Sequence, residues 1–447
     1  MLSLEHRRAK PDNLTSYRKA EILWKCRLSR PSRLPETYLC SMIPFSPPHL
    51  SERAIEEVVA TLRSGWITTG PRTKLLEQKL ADYVGAPKVL CLNSATAGLE
   101  IMLRWFGVGP GDEVIVPAYT YSATANVVEH CGATVVFADV READFNIQVS
   151  CVEKLITERT KVIMPVDFAG WPCDYDALQA LLERPDIRER FKPETAVQQQ
   201  LGRILLLSDA AHSVGARYKG RRTGTLADAT VFSFHAVKNL TTAEGGAVVL
   251  NLPAPFDNQA IYTYLAMATL HGQNKDALAK TQKGNWRYDI LEPGYKCNMT
   301  DIMAAIGLVE LERYESEIMP RRREIVKRYD AFFRTTAWAE LPISEAGDSY
   351  SCFHLYPLRI YGISEAQRDE IIRRIFEQDV SVNVHFIPVP MMSFYRSKGY
   401  DIANYPMTYY NYSREISLPV FEDLHPELQN QVIQAVSNAV NSVLQQA

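Results

Sequence analysis

A lysine stands directly behind one of the most apolar stretches of the chain. In VFSFHAVKNLTTAEGGAVVL, residues 231–250, Lys238 follows a run expected to form a buried strand and precedes a polar turn and the Gly245-Gly246 pair. Burial penalises the charged form of an amine, so a lysine held there gives up its proton more readily and its lone pair can attack a carbonyl. Asp209 ends the apolar run RILLLSD; a carboxylate leaving a buried strand needs a cation or donors, and a protonated pyridine nitrogen is such a partner. In KVLCLNSATAGLEIML a strand runs through Asn93-Ser94-Ala95-Thr96 into a helix, whose free amides suit a phosphate monoester. Tyr121, in VPAYTYSATAN, is an aromatic placed to lie against a flat ring. Singly, each has a plain alternative: a solvated lysine, a turn cap, an unliganded helix cap, a core tyrosine. Together they are the parts that hold pyridoxal 5'-phosphate (PLP), with Asp209 on the pyridine nitrogen and Lys238 as the Schiff-base lysine.

The elements that must position these residues follow from periodicity. Between about 52 and 270, short apolar runs (KVLCL, DEVIVP, TVVFADV, KVIMPVD, RILLLSD, ATVFSFH, GAVVLN) alternate with helical patterns. Runs this apolar are covered on both faces, which predicts an α/β fold with a mostly parallel sheet and ligands at the carboxyl ends of its strands. After GYKCNMTD the pattern changes to a long charged helix, about 301–334, interrupted at Pro320. A strand-helix-strand unit (HLYPLRI, SEAQRDEIIRRIFEQ, VSVNVHF), then EISLPV and a last helix, predict a smaller α+β domain. The expected division is an N-terminal extension outside the core (1–41), a large domain (42–295) and a small C-terminal domain (296–447). Segment 184–202 is expected to be an inserted loop or an extra helix.

Composition narrows the function classes. The 447 residues are 46% hydrophobic with a net charge of -3, enough for a large core and without the basic field that nucleic acid or anionic lipid requires. No apolar run approaches the ~20 residues of a membrane span. Eight cysteines without a Cys-x-x-Cys pair indicate neither a metal site nor a disulfide framework and point to a reduced, cytoplasmic setting. Residues 1–41 carry nine Lys or Arg against four Asp or Glu and lack the apolar core of a signal peptide.

The segments SGWITTGPRTKLLEQKLADYVGA, NSATAGLEIML, GDEVIVPAYTYSATANVV, SDAAHSVGA, SFHAVKNLTTAEGGAVV and GYKCNMTDIMAAIGLVEL resemble the DegT/DnrJ/EryC1/StrS family of PLP-dependent sugar aminotransferases. The resemblance runs from about Met42 to the C-terminus. It implies a fold-type I aminotransferase and a homodimer with active sites shared at the subunit interface. Position by position, it implies Lys238 as the coenzyme lysine, Asp209 on the ring nitrogen, His212 near the ring hydroxyl, Ala95, Thr96 and Ser233 at the phosphate, and Tyr121 stacked on the ring. Asn298 matches the residue that reaches the phosphate from the neighbouring subunit, although some relatives place it where Lys296 stands. Thr69, Asp167 and His385 are expected near the sugar. Asp167 occupies a place often held by His, and Pro390 and Met391 depart from the pattern after His385.

The reaction implied is an exchange in two halves. An amino donor, L-glutamate, leaves its nitrogen on the coenzyme as pyridoxamine 5'-phosphate (PMP), and a keto sugar carried on a nucleotide diphosphate takes it up, with Lys238 as both anchor and general acid/base. Related alternatives are a cyclitol or similar keto substrate, and a PLP-dependent sugar dehydratase, against which Lys238 and the unclustered cysteines argue. Outside the family stand a non-catalytic PLP-fold sensor and an NTPase. GWITTGP has Gly65 and Gly70 at P-loop separation but Pro71 where the phosphate lysine belongs, and GVGPGD lacks the later glycine of a dinucleotide site.

Overall fold

Each of the seven apolar runs expected between 52 and 270 forms a strand in the computed structural model, which describes residues 42–275 and 286–445. In chain order these are β1 (Lys88–Leu92), β2 (Glu113–Pro117), β3 (Thr134–Ala138), β4 (Thr160–Ile163) and β5 (Leu205–Asp209). Next come the two-residue strands β6 (Arg217–Tyr218) and β7 (Arg221–Arg222), then β8 (Ala229–Ser233) and β9 (Gly246–Leu250). The C-terminal strands are β10 (Ala339–Glu340), β11 (Glu345–Ala346), β12 (Ser349–Tyr350), β13 (Tyr356–Ile360) and β14 (Glu415–Leu418). The extension expected over residues 1–41 lies outside the described residues.

A seven-stranded sheet has the order β1-β9-β8-β5-β4-β2-β3. Only β9 runs against the others: it is antiparallel to both β1 and β8, whereas every pair from β8 to β3 is parallel. The pleat sends successive side chains to opposite faces, and two separate cores record this alternation. Leu90, Leu92, Val231, Val248 and Leu250 belong to one core, while Val89, Cys91, Phe232, Ala247 and Val249 belong to the other. The second core continues into the C-terminal region, where β10, β13 and β14 form a three-stranded sheet and the helix Pro426–Leu444 closes the chain.

The helices end where their sequences dictate. Ser94 caps Ala95–Phe106, its hydroxyl accepting from the Ala97 amide at 3.1 Å, and Gly107 stops it in the left-handed conformation. The helix Pro71–Val84 starts after Gly70, which has no side chain to cap it. Asp301 does this instead from a distant segment, accepting from the Gly70 amide at 2.8 Å, the Thr73 amide at 2.9 Å and the Thr73 hydroxyl at 2.7 Å.

Three expectations are refined. The charged helix is not cut at Pro320: it runs over Asp301–Arg313, widens to π turns over Tyr314–Ile318 and resumes over Met319–Phe333. The wide turn just before Pro320 absorbs a ring that has no N–H to give and would strike the preceding carbonyl. VSVNVHF is not a regular strand. It is an extended segment tied down by single bridges, Val380 to Ile43 and Asn383 to Ser417. Segment 184–202 holds two short helices, Pro185–Arg190 and Ala196–Leu201.

The start of β9 is pressed against the helix that follows β1. A methyl group on Gly246 would lie 2.4 Å from the Ala95 nitrogen and 2.6 Å from the Ser94 carbonyl carbon, a contact with backbone that no rotamer relieves. Gly246→Ala is therefore expected to destabilise the protein by about 1–3 kcal/mol, measured by denaturant unfolding. Wild-type stability in this variant would show that the two backbones can separate freely.

Candidate active site

β1, β2, β5 and β8 run the same way, so their carboxyl ends share one edge of the sheet, and β9, reversed, begins there. A cavity of about 350 Å³ opens at that edge. The structure brings eight of the eleven expected site residues to its wall. Ala95 and Thr96 come from the helix after β1, Tyr121 from the turn after β2, Asp209 and His212 from the end of β5, and Ser233 and Lys238 from the end of β8. His385 enters from the extended segment.

Lys238 sits in a turn, its amide donating to His235 O at 2.9 Å, and burial pushes its amine down to about 8, the Asp209 charge partly opposing the shift. Asp209 accepts from the Thr124 hydroxyl at 2.8 Å and the Ala211 amide at 3.2 Å. Burial raises its pKa, while Thr124, Ala211 and Lys238 each favour the carboxylate. No ion pair joins Asp209 to Lys238 among the described residues, and both groups border the cavity.

Four histidines line the same space, His212, His235, His354 and His385; burial first, then the nearby Lys238 charge, hold His212 well below the usual imidazole value and push His385 down to about 3. His354 is depressed likewise, by burial and then by His212 and Lys238. Its Nδ1 lies 2.9 Å from Asn239 Oδ1, and the same amide donates to Cys352 O at 2.7 Å. Arg322, buried on the helix Met319–Phe333, fixes this segment from behind by donating to the carbonyls of Phe353, His354 and Val420. The His212 ring packs on His354, with centroids 4.4 Å apart, and near Phe386, at 5.8 Å.

Three expected residues lie elsewhere. Asp167 is wholly buried behind β5 and is taken up by internal donors: Cys173 N at 2.9 Å, the Tyr175 hydroxyl at 2.8 Å and the Ser213 hydroxyl at 2.7 Å. Burial pushes its pKa up to about 6. Asn298 bridges to Leu92 at the end of β1 and donates to the Thr69 hydroxyl at 2.5 Å, which in turn donates to Met299 O. Neither Asn298 nor Thr69 borders the cavity of its own chain.

Thr124 and His354 were not foreseen. Thr124 follows Tyr121 by three residues on the same helical turn, a spacing that signals a shared face. His354 carries no local signal, since Asn239 and Arg322 bring it in from far along the chain.

The wall has the donor set of a flat, phosphorylated pyridine. Ser94 takes the Ala97 amide, leaving the Ala95 and Thr96 amides at the helix start without a protein partner among the described residues. His212 Nδ1 is a buried polar atom with no partner, so a ring hydroxyl there would relieve a real cost. Tyr121 is 62% exposed although it is a large aromatic beside the cavity, as expected of a surface that a ring would cover.

Comparison with known proteins agrees with this wall. The model of the DegT/DnrJ/EryC1/StrS aminotransferase family matches residues 48–188 and 195–437. The spore coat polysaccharide biosynthesis protein SpsC of Bacillus subtilis is 37% identical over 405 residues, covering 89% of this chain and 97% of its own. Spr1654 of Streptococcus pneumoniae, assigned as a sugar aminotransferase, has been solved in PMP and PLP forms. The PMP form superposes with a TM-score of 0.86 at 46% identity, covering 90% of this chain and 100% of its own, and the PLP form with 0.85 at 44%, covering 90% and 99%. PseC of Helicobacter pylori, an aminotransferase of pseudaminic acid biosynthesis, gives 0.78 at 28%, covering 90% and 100%.

The depressed amine has a measurable signature. A base that binds its proton less tightly when folded costs stability while protonated, and that cost disappears as pH rises from the folded value, about 8, to the unfolded one, 10.5. Relative to Lys238→Met, the coenzyme-free wild type is expected to gain about 3 kcal/mol across that window, measured by denaturant unfolding at several pH values. A constant difference between the two proteins would place the amine in ordinary solvent.

Proposed function

The chain belongs to the DegT/DnrJ/EryC1/StrS aminotransferase family and works with PLP, and from that premise we propose that it transfers the amino group of L-glutamate to a nucleotide-diphosphate-linked keto sugar. The observation that carries this reading is the meeting of the Lys238 amine, the Asp209 carboxylate and the free helix amides of Ala95 and Thr96 in one cavity. Bound PLP supplies an electron-accepting ring and carries the amino group between the two substrates.

The residues divide the work by charge and position. Lys238 Nζ, close to half-protonated near pH 8, is suited both to taking the proton from the donor's α carbon and to returning it. Asp209, kept as a carboxylate by Thr124 and Ala211, holds a proton on the ring nitrogen. The Ala95 and Thr96 amides and the Ser233 hydroxyl bind phosphate, His212 Nδ1 meets the ring hydroxyl, and Tyr121 lies over the ring. His385 faces the substrate side, whereas Asp167 acts from behind by fixing the end of β5.

A homodimer with shared sites belongs to the same reading. Trp286, Tyr288, Ile290 and Leu291 are each about half exposed or more, an apolar strip that a second copy would cover. In such a dimer Asn298 and Thr69, turned away from their own cavity, reach the neighbour's phosphate and sugar. SpsC and PseC, named for polysaccharide and amino-sugar biosynthesis, support a sugar acceptor. A cytoplasmic enzyme supplying activated amino sugars for polysaccharide, lipopolysaccharide or secondary-metabolite synthesis fits that acceptor.

The test is a mass-spectrometric screen of nucleotide keto sugars with the PLP-loaded enzyme and L-glutamate. The expected products are 2-oxoglutarate and an amino sugar, with turnover lowered at least ~10³-fold in Lys238→Ala. Ordinary turnover in that variant would refute the role of the lysine. A coenzyme absorbance that L-glutamate leaves unchanged would refute the donor.

A further inference from the structure

β14 carries a buried polar stripe that the reaction outlined above does not use. Its sequence, Glu415-Ile416-Ser417-Leu418, alternates polar and apolar residues, as a strand with one solvated face would, yet all four are fully buried. Ile416 and Leu418 enter the core. Glu415 and Ser417, two apart, share the other face and point toward His385. Ser417 Oγ lies 2.5 Å from Glu415 Oε1 and 2.9 Å from His385 Nδ1, and the His385 amide donates to Glu415 Oε2 at 3.0 Å. The backbone fixes the register, since Asn383 and Ser417 exchange amide hydrogen bonds at 3.2 and 2.8 Å. The imidazole stacks on Phe45 at 5.3 Å and borders the cavity. With Nδ1 committed to Ser417, Nε2 is the ring nitrogen without a protein partner among the described residues.

Resting on the aminotransferase reading, we infer that Glu415 and Ser417 are positioning residues that set the tautomer of His385, so that its Nε2–H is offered to a carbonyl or carboxylate oxygen in the cavity. The proton count fixes the direction. When Glu415 is protonated, its O–H donates to Ser417 Oγ, the Ser417 hydroxyl donates to His385 Nδ1, and the imidazole hydrogen resides on Nε2. When Glu415 loses its proton to solvent, Ser417 donates to the carboxylate and accepts Nδ1–H, leaving Nε2 as a bare acceptor. The imidazole stays neutral in both states.

The surroundings favour the first state near neutral pH. Burial pushes Glu415 up to about 8, although Arg368 from the helix Glu365–Phe376 and Arg359 from β13 pull the other way; Tyr119, from the turn after β2, also faces this carboxyl. His385 is faced by Lys238, His212 and His354, of which only Lys238 carries charge near neutrality. The tautomer therefore turns on Glu415.

Nitrogen-15 NMR of the histidine rings in the full-length protein reads the tautomer directly, with the His385 signal assigned by its loss in His385→Gln. In the wild type the hydrogen is expected to move from Nε2 to Nδ1 as pH rises through about 8. Glu415→Gln, whose side-chain amide donates as the protonated acid does, is expected to hold Nε2–H at every pH, and Ser417→Ala to lose the pH response. Lys238→Met is expected to keep it, separating this event from titration of the amine. A response that persists in Glu415→Gln or Ser417→Ala, or that vanishes in Lys238→Met, would overturn the inference. Loss of glutamate-driven coenzyme bleaching with the NMR response intact would instead count against the enzymatic reading alone.

Discussion

The site depends on one amine being kept short of full protonation in the same cavity as a carboxylate. Proximity alone would do the reverse, because Asp209 stabilises the ammonium form of Lys238. Two features limit that pull. The carboxylate already accepts from Thr124 and Ala211, which spreads its charge and holds it apart from the amine. The imidazoles of His212, His354 and His385 on the wall are neutral, and desolvation prevails.

The sheet makes this arrangement reproducible. Because six strands run one way and β9 runs back, one edge collects six carboxyl ends and the start of β9, where glycine lets the chain press against the helix start at Ser94 and Ala95. The pleat anchors β1, β8 and β9 in two cores at once, so small displacements at this end of the sheet are resisted from both faces. Arg322 extends the same rigidity to the far side. Its Nε and Nη2 donate to the carbonyls of Phe353, His354 and Val420, and its charge also helps to keep His354 neutral.

Much of this was legible in the sequence because the chemical groups stand at the ends of apolar runs, and a polar residue there has nowhere to go but the sheet edge. The resemblance misled at Asp167, which it places near the sugar. Asp167 too ends an apolar run, KVIMPVD, but Tyr175 and Ser213 turn inward to meet it, and no spacing in the sequence announces those donors. Alternation misled at VSVNVHF, where the pattern of a strand is present but the pairing is limited to single bridges. Thr124 was within reach of helical periodicity. His354 was not, because its place is set by Asn239 and Arg322, which are remote in sequence.

The buried carboxyls show that nearby positive charge alone does not fix a charge state. Asp167 accepts from three donors and is pushed only to about 6, whereas Glu415, in contact with Ser417 and one backbone amide, lies near two arginines and still reaches about 8. The difference lies in where the donors are engaged. Arg359 and Arg368 bond to the oxygens of Asn411, Glu340, Tyr412 and Asp369 and to the Glu415 main-chain carbonyl, so their charge reaches the Glu415 carboxyl only through space. A neutral Glu415 adds no second buried carboxylate beside Asp209, which favours a space that must admit a phosphate or a substrate carboxylate.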